Sequence, residues 1–248
     1  MRRLLPCEIL QGLCLLLMAA SAALAQQNIP RFEVGAQFSL LSLDQPSKLI
    51  TQPIDPGYIG FAPSNRKRTE PGFGGRFTYN LTNNLAFEAE GNLFPRNEFS
   101  NTAPNGIFEG GFGAVPRGRV FQGQFGVKAG KRFRRFGIFG KARPGFVGFT
   151  KVNKLLSTTT TAPAGPLNQV FTVGTFGVGK KAYFSVDLGA VVEYYASRRI
   201  FARFDLGDTV IHYASFPGPG AFLSRAIIVR PPETRHNLQF NAGVGFRF

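Results

Sequence analysis

The sequence predicts an all-β fold, an eight-stranded antiparallel up-and-down barrel that crosses a membrane. Three observations carry this. First, residues 236–248 (HNLQFNAGVGFRF) alternate strictly, with Leu238, Phe240, Ala242, Val244, Phe246 and Phe248 on one side. Asn237, Gln239, Asn241, Gly243, Gly245 and Arg247 fall on the other, the period of two of a strand with unlike faces. The run exceeds the about five or six residues of an ordinary strand and covers the roughly nine to eleven that cross a bilayer as a tilted strand. Second, seven earlier segments carry the same pattern. Third, the connections between them alternate short and long. A strand in lipid must belong to a closed barrel, because lipid offers unpaired backbone groups no partner.

The elements follow in order. Residues 31–43 set Phe32, Val34, Ala36, Phe38 and Leu40 against Glu33, Gly35, Gln37 and Ser39. Residues 71–81 set Phe73, Phe77, Tyr79 and Leu81 against Gly74, Arg76, Thr78 and Asn80. Residues 84–94 oppose Leu85, Phe87, Ala89 and Leu93 to Glu88, Glu90 and Asn92, and residues 119–131 oppose Phe121, Phe125, Val127 and Ala129 to Gln122, Gln124 and Lys128. The fifth, 136–149, is the least regular. Ile138, Ala142 and Phe146 face away from Lys141 and Arg143, but Phe139 and Val147 share the polar side, and Pro144 is expected to mark a bulge or an end. In 181–195, Phe184, Val186, Leu188, Val192 and Tyr194 oppose Ser185, Asp187 and Glu193. In 200–213, Ile200, Ala202, Phe204 and Leu206 oppose Arg203 and Asp205. Residues 80–84, 131–135 and 196–199 read as tight turns. Residues 44–70, 95–118, 150–180 and 214–235 read as long loops rich in Pro, Gly, Ser, Thr and Asn, with 158–161 and 163–166 expected to be mobile.

Residues 1–25 are expected to be a cleaved secretory leader and 26–248 the barrel domain. Arg2 and Arg3 precede an apolar run, and Ala23-Leu24-Ala25 has the small-residue form of a cleavage site. Both cysteines, Cys7 and Cys14, fall inside the leader, so no disulfide, Cys-ligated metal or Cys nucleophile is expected in the rest.

Alternation alone does not say which face is outside. A soluble lipid carrier would put the apolar face inward. Here the polar face is mostly Gly, Gln, Asn, Ser and Thr with isolated charges, unlike a solvated surface. Its charges nearly balance: Glu33, Glu88, Glu90, Asp187, Glu193 and Asp205 against Arg76, Lys128, Lys141, Arg143 and Arg203. Near-balance suits a closed interior, where charge must be paired, so these eleven are the candidate lumen ion-pair residues. The net charge of +15 is assigned instead to turns and loops, including Arg132 beside a short turn.

The stretches FEAEGNLFP (87–95), KARPGFVGF (141–149), VDLGAVVEYYASRRIFARFDLGD (186–208) and the terminal strand resemble the small bacterial outer-membrane protein β-barrels, the porin-like and outer-membrane-protein-A-like barrel domains. The resemblance spans essentially the whole chain after the leader. It implies an outer-membrane location, with short turns at the periplasmic end and four long loops outside. It also makes Phe240, Val244, Phe246 and Phe248 the candidate C-terminal signal read by the barrel-assembly machinery. The implied partners are outer-membrane lipid and, through basic residues at the outer rim, lipopolysaccharide. No nucleic-acid motif is present.

A structural or surface-interaction barrel with a filled lumen is the leading expectation. A small-solute or ion channel is the alternative, and a lipid-active enzyme the weaker one. The enzyme reading rests on His212, Ser215 and Asp208, close in sequence at one strand end, but their spacing fits no hydrolytic arrangement. No catalytic residue, cofactor or metal site is therefore expected.

Overall fold

The computed structural model describes residues 30–44, 48–51, 59–62, 67–95, 117–160, 172–219 and 227–248. It has twelve strands: β1 Phe32–Asp44, β2 Lys48–Thr51, β3 Ile59–Ala62, β4 Lys67–Asn80, β5 Leu85–Phe94, β6 Arg117–Arg132, β7 Phe136–Thr160, β8 Thr172–Tyr195, β9 Ile200–Tyr213, β10 Phe216–Pro219, β11 Ile227–Arg230 and β12 Glu233–Arg247. Eight of them close a barrel in the order β1-β12-β9-β8-β7-β6-β5-β4, every neighbouring pair antiparallel. β2 with β3, and β10 with β11, form separate two-stranded pairs.

Closure is sealed at the turn end. Phe32 and Phe248 exchange backbone hydrogen bonds of 3.1 and 2.9 Å, so the last residue lies beside the first strand just past the end of β12. The register runs Leu41–Gln239–Gly207–Gly189–Lys141–Lys128–Ala86–Asn80 around the wall and returns at Arg31, whose carbonyl accepts from Asn80 N at 2.8 Å. From Leu41 to Arg31 is ten residues, and that stagger tilts the strands and narrows the bore to side-chain width.

The polarity is inverted. Phe38, Phe73, Phe125, Phe204 and Val244 are exposed on the outer wall, whereas Arg143, Arg203, Lys128, Glu193 and Asp187 are almost wholly enclosed. The hydrophobic effect would drive the reverse arrangement in water, so this wall is built for lipid.

The structure corrects several sequence expectations. Pro144 is neither a bulge nor an end. It sits inside β7 opposite Val186, and the β6–β7 register is the same on both sides of it. The missing N–H costs only local ladder bonds on the β6 side. The irregularities lie elsewhere, between Arg117 and Val120, where Gly118 takes φ 82°, between Phe149 and Val152, and between Leu155 and Ser157. Gly118 is a position where a side chain would be strained. Much of 150–180 is strand rather than loop, because β7 and β8 keep pairing up to Thr160–Thr172 as a ribbon beyond the barrel. Residues 158–160 belong to that ribbon, whereas Thr161 and 163–166 lie outside the described residues, as do the leader before residue 30 and nearly all of the expected loop 95–118. The other two expected loops carry the β2–β3 and β10–β11 pairs, and β4 already begins at Lys67.

Candidate functional site: a lumen filled in layers

One strand samples the lumen from the turn end outward. The inward side chains of β9 are Phe201, Arg203, Asp205, then Gly207, Thr209, Ile211 and Tyr213, all buried. They mark four layers: an aromatic floor, an ion-pair layer, an amide and hydroxyl layer, and an apolar cap.

The floor is built from Phe139, Val191 and Phe201. Two arginines lie on it. Arg247 stacks 4.1 Å from the Tyr195 ring centroid and 4.9 Å from that of Phe201; Arg132 lies 5.6 Å from Tyr195 and 5.7 Å from Phe139. Guanidinium faces over rings are favourable contacts, stronger once desolvated. Arg132 also donates to Glu33 Oε1 at 3.2 Å and to Tyr195 Oη at 2.9 Å.

Above the floor the charged residues interlock. Lys128 Nζ sits 2.6 Å from Glu193, 3.3 Å from Glu88 and 3.8 Å from Glu33. Arg203 grips Glu88 with two bonds, 2.5 and 2.9 Å, and reaches Asp205 at 3.1 Å. β9 and β5 lie halfway round the barrel from each other, so the Arg203–Glu88 pair crosses the axis. Arg143 donates through Nε and Nη2 to Asp187 at 3.0 and 2.5 Å and through Nη1 to Glu90 at 2.6 Å. Lys141 pairs with Asp187 at 2.6 Å and with Asp205. Arg76 donates to Gln37 Oε1 at 3.1 Å, joining this layer to the next. Glycine makes the room: a Cβ at Gly207 would meet Asp187 Oδ1 at 2.5 Å and Lys141 Cε at 3.0 Å.

The next layer is neutral. Gln122 and Gln239 exchange amide bonds of 2.8 and 3.1 Å, again across the axis, from β6 to β12. Asn92 accepts from Gln37 and Ser39 and donates to Glu90 and Gln122, all between 2.8 and 3.0 Å. The cap at the loop end is a cluster including Leu41, Phe94, Val120, Phe149, Tyr183 and Tyr213. Tyr183 and Tyr213 meet edge to face at 4.9 Å.

All eleven sequence-derived ion-pair candidates thus line the lumen, brought together from seven strands of the wall. Arg132, Arg247 and Tyr195 join them, and the ion-pair set expected from sequence lacks all three. Arg132 is expected among the exposed turn charges; its side chain turns inward instead. Phe139 and Val147, the irregular pair of the fifth segment, are lumen residues of floor and cap, which removes the irregularity. Phe240, Val244 and Phe246 stand on the outer face of β12, and Phe248 follows it.

Asp208 and His212, weighed for lipid chemistry, each have a different polar partner. Asp208 Oδ2 lies 2.6 Å from His236 Nδ1, and its Oδ1 accepts from Asn237 N at 3.0 Å. His212 Nδ1 instead meets Thr234 Oγ1 at 3.1 Å. Among the described residues no group of three or more His, Cys, Asp and Glu side chains could hold a metal ion.

A closed barrel with an apolar wall and a polar, filled bore defines a class: a membrane-spanning β-barrel of the outer-membrane type. The chain belongs to the outer membrane protein β-barrel domain family, whose model matches residues 12–248. It is accordingly a protein of the Gram-negative outer membrane. Similar solved structures include OprG from Pseudomonas aeruginosa (10% identity, covering 89% of this chain and 96% of that one, TM-score 0.48). They also include the N-terminal barrel domain of Pseudomonas aeruginosa OprF (12%, 90% and 100%, 0.40) and Ail of Yersinia pestis (11%, 88% and 99%, 0.38). No curated protein sequence matches the chain.

Proposed function

We propose that this protein is a non-conducting outer-membrane barrel with a structural or surface-interaction role, its outer segments presented on a rigid, filled stem. The observation that carries the reading is the pair of contacts across the axis, Arg203 to Glu88 and Gln122 to Gln239, stacked beneath the apolar cap. A solute would have to push through the cap, the amide layer and the ion-pair layer in sequence. Each buried charge it exposed would lose partners that are costly to remove.

The test is single-channel conductance of refolded protein in a planar bilayer, run beside heat-modifiable gel mobility. Heat modifiability without conductance steps is the expected result. Stepwise current that changes when Arg203 or Asp205 is neutralised would replace this reading with the porin-like one.

The terminal strand is proposed as the segment read by the barrel-assembly machinery. Phe248→Ala should lower the amount of barrel assembled in cells severalfold while leaving refolding from urea into lipid vesicles nearly unchanged. Equal assembly of both forms would remove that role from Phe248.

A further inference from the structure

The outer wall carries one break in its apolar surface among the described strands. Asp208 points outward from β9, between Leu206 and Val210 on its own strand, and stands beside Leu188 of β8 and Leu238 of β12. Its carboxylate reaches toward the loop end to His236 at 2.6 Å and is fixed from behind by Asn237 N. Next to this pair, His212 and Thr234 join their side chains at 3.1 Å. On the adjoining strand the apolar surface continues as far as Phe184, the residue paired with His212 and itself 59% exposed. The polar inset therefore dips into the apolar band on the β9–β12 side alone among the described strands. Asp208 is flanked by apolar outward residues on both sides along its strand, whereas Asp44, which shares the outward parity of β1, stands at that strand's end.

An ionisable side chain at membrane depth is costly and needs a partner. A Leu at position 208 would complete the wall. Here the inset keeps a carboxyl, two imidazoles and a hydroxyl at the loop-side edge of the apolar wall. His236 is held through Nδ1, and 73% of its side chain is exposed, so its Nε2 faces the surroundings. What covers this face in an outer membrane, on the side of the long loops, is the outer leaflet.

We propose that the Asp208–His236–His212–Thr234 inset is a binding site for one outer-leaflet glycolipid of the lipopolysaccharide type. Such a lipid carries hydroxyl and amide groups below its phosphates, on its proximal acyl chains. Those groups are donors and acceptors at the depth where the inset offers acceptors and donors. A plain phospholipid has no donor there. The site differs from charge pairing at the rim, because the groups it uses lie below the headgroup phosphates and none is a lysine or arginine.

The test uses the full barrel refolded into vesicles of phosphatidylcholine with and without rough lipopolysaccharide. Lipopolysaccharide retained per barrel after detergent extraction is counted by mass spectrometry for the wild type and for Asp208→Leu/His236→Leu. The variant should retain about tenfold less, the worth of one or two hydrogen bonds involving a charged group. Its urea midpoint in phosphatidylcholine alone should hold or rise, because an apolar wall is restored. Retention equal to wild type would overturn the proposal. So would a midpoint that falls equally with and without lipopolysaccharide, which would make the pair a support of the fold.

Discussion

Arg143→Met should destabilise the barrel by about 3–5 kcal/mol, the cost of stranding buried carboxylates by removing their partner. Arg143 is wholly enclosed and holds Asp187 from the neighbouring strand and Glu90 from two strands away. Methionine keeps much of the stem but none of the donors. Asp187 would retain Lys141, and Glu90 would retain Asn92 and Asn241, so the loss falls short of a bare buried charge. Urea unfolding of the refolded protein in lipid vesicles measures it. Adding Glu90→Gln and Asp187→Asn to the same chain should recover some of the loss, because the stranded charges are gone. A single variant that costs less than about 1 kcal/mol would mean that water reaches and solvates these carboxylates. The closed-lumen reading would then fail.

Phe204→Arg tests the opposite face. Phe204 is half exposed on the wall, beside Val192 of β8 and Ala242 of β12. On a lipid face near the middle of the bilayer, arginine costs about 2–4 kcal/mol. The same unfolding assay should show that loss, while Phe204→Leu should cost less than about 1.5 kcal/mol. On a wall facing water an exposed arginine would be close to neutral. An unchanged stability would therefore count against the orientation of the wall itself.

The two substitutions probe opposite parities of the strand alternation, and the sequence exposes that parity well wherever the faces differ in chemistry. Glu88, Glu90, Asp187, Glu193, Arg203 and Asp205 are legible as lumen residues because each interrupts an apolar alternation. Parity fails where both faces are apolar. Val120 beside Phe121, Val191 beside Val192 and Val210 beside Ile211 give no contrast, so the floor and cap of the lumen stay hidden in the sequence. It fails near turns too, as with Arg132, where direction depends on the last ladder bonds rather than on pattern.

The sequence by itself determined the eight strands of the barrel, their antiparallel order with alternating connections, and most of the charges that meet inside, because strand alternation is a local property with a period of two; the β2–β3 and β10–β11 pairs and the inward turn of Arg132 lay outside it. Only the tertiary structure decided which charges meet. Arg203 and Glu88 are 115 residues apart, and Gln122 and Gln239 are 117 apart. Those pairs exist because the stagger at closure fixes the height of every strand against the one opposite, and stagger is a property of the whole ring. The register between the neighbouring strands β9 and β12 set Asp208 beneath His236 on the lipid face.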